Sequence, residues 1–156
     1  MAVSVIALAS DHAGVELKSF LANEMKARGY EVLDLGTDGP ASVDYPDFGY
    51  AVAKVIAEGK AERGVAVCGS GIGISIALNR YPHIRAALCH NGLTARLARQ
   101  HNDANVLCMG ARMIGLEVAR DCLVAFLDTA YEGGRHDGRV AKLGCPPATG
   151  GSAPSC

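Results

Sequence analysis

The sequence predicts an α/β fold, a five-stranded parallel sheet sandwiched between helices in three layers. Two observations carry this expectation. Short apolar runs alternate about five times with longer stretches of helical periodicity, the pattern of a parallel sheet with helices on both faces. The first run, Val3–Ala9, is apolar almost throughout and does not alternate, as expected of a strand covered on both sides.

The elements follow in order. Ser10-Asp11-His12-Ala13-Gly14 ends the first strand. Over Val15–Arg28, Leu17, Phe20, Leu21 and Met25 recur at helical spacing, and Gly29 closes the helix. Glu31–Leu35 is a second short strand, and Gly36–Pro46 is a loop with two Gly, two Pro and two Asp. Helical periodicity returns over Phe48–Gly59, and Gly64–Cys68 is the third strand. A glycine-dense turn leads straight into a helix over Ile72–Asn79 that stops before Pro82. Arg85–Cys89 is the fourth strand, followed by a helix over Leu93–His101 with Asn102–Asn105 as its exit. Val106–Met109 is the fifth strand, and Leu116–Leu127 is a long helix with an apolar face. Residues 1–143 form one domain on this reading. Residues 144–156, rich in Gly, Pro and Ser, form a poorly ordered tail with no assigned chemistry.

Composition removes several classes of function. The net charge of −1 gives no general attraction to nucleic acid or anionic membranes. With three Phe, five Tyr and no Trp there is no platform for stacking bases. No apolar run approaches the roughly 20 residues of a membrane span, and no basic segment precedes the first apolar run as in a signal peptide. The six cysteines lack the close pairing of a zinc site. The expected setting is a reducing cytoplasm with free thiols.

Ligands in open parallel sheets bind at the carboxyl ends of strands, near a switch in strand order. Asp11-His12, Asp44-Tyr45 and Cys68-Gly69-Ser70-Gly71 fall at such ends, whereas His101-Asn102 sits at the end of a helix. Cys68 is open between two readings. A cysteine ending a buried strand is often simply packed, but one preceding a helix start is favoured as a thiolate, able to act as nucleophile or base. The Gly69-Ser70-Gly71-Ile72-Gly73 turn is either a tight strand-to-helix turn or a cradle of amides for an anion. It matches neither GxGxxG, GxxxxGK[ST] nor GxSxG. His101 is either a dipole partner of its helix or a functional group. Asp11 is either a helix cap or a ligand. Arg135 and Arg139, four apart, form either a solvated face or a phosphate clamp that Arg112 joins.

Six stretches together resemble the type B ribose-5-phosphate isomerases of the family that includes galactose-6-phosphate isomerase subunits. They are Ser10–Gly14, Asp44–Pro46, Cys68–Ala77, Arg99–Asn105, Gly110–Arg112 and Tyr131–His136. The resemblance covers residues 10 to 139 and implies a Rossmann-like fold, a homodimer or dimer of dimers, and a reaction without metal or other cofactor. The implied reaction interconverts ribose 5-phosphate and ribulose 5-phosphate. It implies a catalytic set of Cys68, His101, Ser70 and Asp11. Cys68 would be the base, because positions 72–76 hold no Glu and so place the chain with the members that use a strand-end Cys. His101 would open the sugar ring. His12, Tyr45, Gly69, Gly71, Ile72, Gly73 and Asn102 would contact the sugar, and Arg112, Arg135 and Arg139 would hold the phosphate. His101, Asn102 and the arginines would come from the partner subunit. A six-carbon sugar phosphate, or binding without catalysis, is the alternative. Nothing in the resemblance reaches the tail.

Overall fold

A computed structural model describes residues 3–150. The five strands are β1 (Val5–Ser10), β2 (Glu31–Asp34), β3 (Arg63–Cys68), β4 (Ala86–Leu88) and β5 (Val106–Gly110). They form one sheet in the order β2-β1-β3-β5-β4, and every pairing is parallel. The helices are α1 (Val15–Ala27), α2 (Tyr45–Ala57), α3 (Ile72–Leu78), α4 (Gly92–Asn102), α5 (Leu116–Asp128) and α6 (Asp137–Gly144). The three-layer α/β architecture is the one expected.

Strand alternation divides the core by residue size. Ile6, Leu8, Val65, Val67, Leu107 and Met109 face a layer containing Leu21 and Met25 of α1 and Leu123 and Phe126 of α5. The residues between them, Ala7, Ala9, Ala66, Cys68 and Cys108, face Val52 of α2 and Ile74 and Leu78 of α3. The smaller face lets its helices come close: a Cβ on Gly64 would stand 2.7 Å from Val52 Cγ1. Each fully buried Leu, Ile or Phe stabilises the fold by about 1.5–3 kcal/mol relative to exposure.

The order of the strands fixes where a ligand can sit. The chain leaves β1 towards one edge to make β2, then returns past β1 to make β3 on the other side. The two crossovers diverge between β1 and β3, which opens a crevice at their carboxyl ends. Ser10-Asp11 and Cys68 stand on either side of it.

Several boundaries differ from expectation. β1 begins at Val5, because the Ser4 carbonyl already accepts from the Glu31 amide and pairing starts there. α2 begins at Tyr45, inside the stretch expected to be loop; Pro46 occupies its first turn, where a missing N–H costs nothing. Gly144 belongs to α6, and Leu143 and Pro146 line a groove with Tyr81 and Pro82. The rest of the expected disordered tail, residues 151–156, lies outside the described residues. Cys68, Cys89, Cys108 and Cys122 are free and buried, but Cys145 is disulfide-bonded, so the expectation of free thiols fails there. Cys145 is the C-terminal cap of α6, its amide donating to the Lys142 carbonyl. Among the described residues, no helix is long and apolar enough to cross a membrane.

Candidate active site

The site is built first from β3 and its turn. β3 delivers Cys68 to the carboxyl edge with 3% of its surface exposed. The chain then reverses through Gly69-Ser70-Gly71, and the Gly71 amide donates to Cys68 Sγ at 3.1 Å. The turn needs glycine at this point. Gly71 has φ +76°, and a Cβ there would meet Leu88 Cδ1 at 2.6 Å and the Met109 carbonyl carbon at 2.8 Å. Ser70 Oγ accepts from the Ile72 amide at 3.2 Å. The first amides of a helix have no carbonyl partner inside it; Ser70 Oγ takes that of Ile72, and the start of α3 follows the thiol by four residues. The other free cysteines are unsuited to proton transfer. Burial pushes Cys108 well above the ordinary thiol range, raises Cys89, and pushes Cys122 up to about 12.

Asp11, His12 and Tyr45 close over this turn. The Asp11 amide donates to the Val67 carbonyl at 3.2 Å, which ties the end of β1 to β3 just before Cys68. Asp11 caps a single helical turn over His12–Gly14, its carboxylate accepting from the Ala13 amide at 3.0 Å. The helix-cap reading of Asp11 therefore holds, and the carboxylate stays buried in the crevice. His12 Nδ1 accepts from the Val43 amide at 3.2 Å, so a neutral ring carries its proton on Nε2. The Tyr45 ring lies against Gly73; a Cβ on Gly73 would stand 2.5 Å from it. Arg112 follows β5 and returns over the turn, its amide donating to the Gly69 carbonyl at 3.0 Å. Its guanidinium Nη1 stands 3.3 Å from where a Gly69 Cβ would be.

The remaining residues form a second cluster at the opposite edge. α4 leaves the carboxyl end of β4 and carries the chain back to the amino end of β5, so His101 and Asn102, in its last turn, lie at the amino edge. The Glu132 amide donates to the Gln100 carbonyl at 3.1 Å and docks the segment that carries Arg135 beside His101. Arg135 sits in a short helical turn and Arg139 in α6, both exposed. Within one chain Arg112 does not join Arg135 and Arg139, because β5 ends at the carboxyl edge while they follow the return to the amino edge. For the same reason one chain does not bring His101 to Cys68; a six-residue strand separates the edges by roughly 20 Å.

Three residues without a sequence-derived role support these clusters. Lys18, 2% exposed, donates to Asp34 at 2.6 and 2.7 Å and to Asp38 at 3.2 Å, which anchors the loop bearing Val43. Asp103 follows His101-Asn102 with φ +46°, held by Arg99 Nη1 at 2.9 Å and Arg85 Nη2 at 3.2 Å. The His136 ring stacks on His101 with centroids 4.5 Å apart. In the sequence the only signal for His136 was its place in the Tyr131–His136 stretch.

An open parallel sheet with a thiol, a cradle of amides and a buried carboxylate at its switch point has the form of an α/β enzyme for a small polar substrate. The Ribose/Galactose Isomerase family model matches residues 6–143, and the chain belongs to that family and is an isomerase. Ribose-5-phosphate isomerase B of Escherichia coli is 45% identical over 88% of this chain and 93% of its own length. The structure of ribose-5-phosphate isomerase B from Clostridium thermocellum is 51% identical, covers 90% of this chain and 95% of its own, and superposes with a TM-score of 0.88. A D-erythrulose-4-phosphate isomerase from Pectobacterium atrosepticum is 39% identical over 89% of this chain and 92% of its own length.

Proposed function

We propose that the chain interconverts ribose 5-phosphate and ribulose 5-phosphate through an enediolate, with Cys68 as the base. The observation that carries this reading is the Cys68 sulfur at the switch point, accepting the Gly71 amide at 3.1 Å. The bond holds the sulfur in place at the switch point, as a base that must reach a substrate proton requires. Moving the carbonyl between C1 and C2 requires one base to carry a proton between these carbons. It also requires donors where charge gathers on oxygen, a part the amides of the Gly69–Gly73 turn fill. His101 is assigned to ring opening, Ser70, Asp11, His12, Tyr45 and Asn102 to holding the sugar, and Arg112, Arg135 and Arg139 to the phosphate. No step calls for a metal or cofactor.

The two clusters meet only if a second copy brings its amino edge to this carboxyl edge. We therefore assign the active form to a homodimer with shared sites. Ile72 and Ile76 on one face of α3, and Leu93 and Leu97 on α4, supply exposed apolar surface that suits such an interface. A cytoplasmic role in pentose phosphate metabolism accords with this substrate.

The D-erythrulose-4-phosphate isomerase among the relatives favours a second reading in which the sugar differs in length. One experiment separates them: turnover of four-, five- and six-carbon sugar phosphates by wild type and Cys68→Ala. Ribose 5-phosphate is expected to be the best substrate, with turnover lost in the variant while binding persists. Undiminished turnover by Cys68→Ala sinks the mechanism, and preference for another length changes the substrate.

A further inference from the structure

We propose that His101, Glu132 and His136 form a binding site for a divalent metal ion of the zinc class, and that filling it withdraws His101 from the sugar. The second clause rests on the reading of His101 as the ring-opening group.

The three side chains each present a ligand atom, and these atoms all lie within 4.8 Å of one another. Two imidazoles and one carboxylate are a donor set that binds zinc, with a fourth position left for water. The separation by 31 residues between His101 and Glu132 hides the set in the sequence. It assembles because the Glu132 amide docks on the Gln100 carbonyl, and because Gly133 and Gly134, at φ +64° and +57°, turn the chain so that His136 stacks on His101.

An ordinary Glu–His ion pair accounts for only part of this. His136 is 5% exposed, yet its Nε2 has no hydrogen-bond partner; the Glu132 carboxylate stands 3.5 Å away. A buried nitrogen left in this way is a cost to the fold. A metal ion between Nε2 and the carboxylate satisfies both. Zinc bonds of about 2.0–2.1 Å put tetrahedral donors about 3.3 Å apart, so the cluster must tighten. Glu132 is exposed and His101 partly so, which leaves both able to turn toward a fixed His136. Arg135 opposes a cation, but it points into water, where salt screens its charge.

The test uses the full chain without an affinity tag, stripped of metal and titrated with Co²⁺, whose visible bands report ligation. The expected result is one Co²⁺ per chain, displaced by Zn²⁺, with affinity reduced about tenfold or more in Glu132→Gln and in His136→Gln. Absence of bands, or a titration that both variants leave unchanged, overturns the site. Glu132 is exposed, so Glu132→Gln keeps the test valid if His136→Gln fails to fold. Turnover is then measured in EDTA, where Glu132→Gln should match wild type, and with added Zn²⁺, which should inhibit wild type at least tenfold more strongly than the variant. Equal inhibition of both overturns the link to His101. Turnover in EDTA without a cobalt signal overturns the metal site alone. A cobalt signal without turnover of ribose 5-phosphate in EDTA supports the site and overturns the proposed substrate and mechanism.

Discussion

The amide of Gly71 donates to the sulfur of Cys68 across 3.1 Å, within a turn that only a residue lacking Cβ can make. A side chain at position 71 collides with Leu88 and with the backbone at Met109. The turn must then open, and the donor leaves the sulfur. Gly71→Ala is expected to lower kcat by about 10²–10³, the usual cost of one lost donor at a charged reacting group. Steady-state kinetics check this, with circular dichroism confirming the fold. A near-wild-type kcat means that the amide does not serve the thiol.

The opposite placement of Cys68 and His101 predicts complementation. Cys68→Ala and His101→Ala should each be inactive alone. If each site takes Cys68 from one chain and His101 from the other, a mixed dimer contains one intact site. Denatured, mixed in equal amounts and refolded together, the two should recover about a quarter of wild-type activity, since half the dimers are mixed and each has one working site of two. No recovery under conditions where wild type refolds excludes a shared site.

The fold was legible because strand and helix alternate locally, and each run announces itself by its period. The Cys68–Gly73 turn was legible for the same reason, as its parts are contiguous. The start of α2 was hidden by composition: Asp44-Tyr45-Pro46 looks like loop, although proline suits a first helical turn. That Arg112 stands at the opposite edge of one chain from Arg135 and Arg139 was not legible, because a list of residues carries no direction; only the return of the chain through the sheet places them. The stacking of His136 on His101 and the burial of Lys18 depend on tertiary contacts between distant positions, which no local pattern encodes.

Asp103 is the only described non-glycine residue with positive φ. It ends α4 directly after His101-Asn102, and its carboxylate ties Arg85 to Arg99. Asp tolerates this conformation better than Ala does, and Gly better still. Asp103→Ala loses the ion pairs and adds strain, whereas Asp103→Gly loses the pairs alone. Denaturant unfolding should place Ala about 1 kcal/mol below Gly in stability. The reverse order shows that strain at this φ costs the fold less than the extra freedom glycine gives the unfolded chain.

Lys18 lies inside α1, with its charge satisfied by Asp34 and Asp38. Lys18→Met fills the same space and removes the charge. Asp34 and Asp38 remain in partial or full contact with water, so stability should fall by only about 1–2 kcal/mol. The loop ending at Val43 loses its anchor, and His12 loses the amide that orients it. KM for the sugar phosphate should rise more than kcat falls. A fall in kcat at unchanged KM shows that the loop serves chemistry and not binding.

Burial of the spare thiols sets the alkaline limit. Burial first, then the nearby thiols Cys89 and Cys68, keeps Cys108 protonated far into the alkaline range, and burial first pushes Cys122 up to about 12. A thiol is charged when it loses its proton, so the folded state holds these protons more tightly than the unfolded chain, whose thiols titrate near 8.5. The slope of unfolding free energy with pH is then negative above that value. The stabilisation is full below about pH 8.5 and is lost progressively as pH climbs toward 12. Urea unfolding at about pH 7.5, 9 and 10 should show falling stability. Cys122→Ala should start lower, because it leaves a small cavity, but decline less steeply. Parallel declines for the two proteins assign the alkaline loss to other groups, of which Tyr131, raised to about 12 by burial and its bond to Asp137, is the next to substitute.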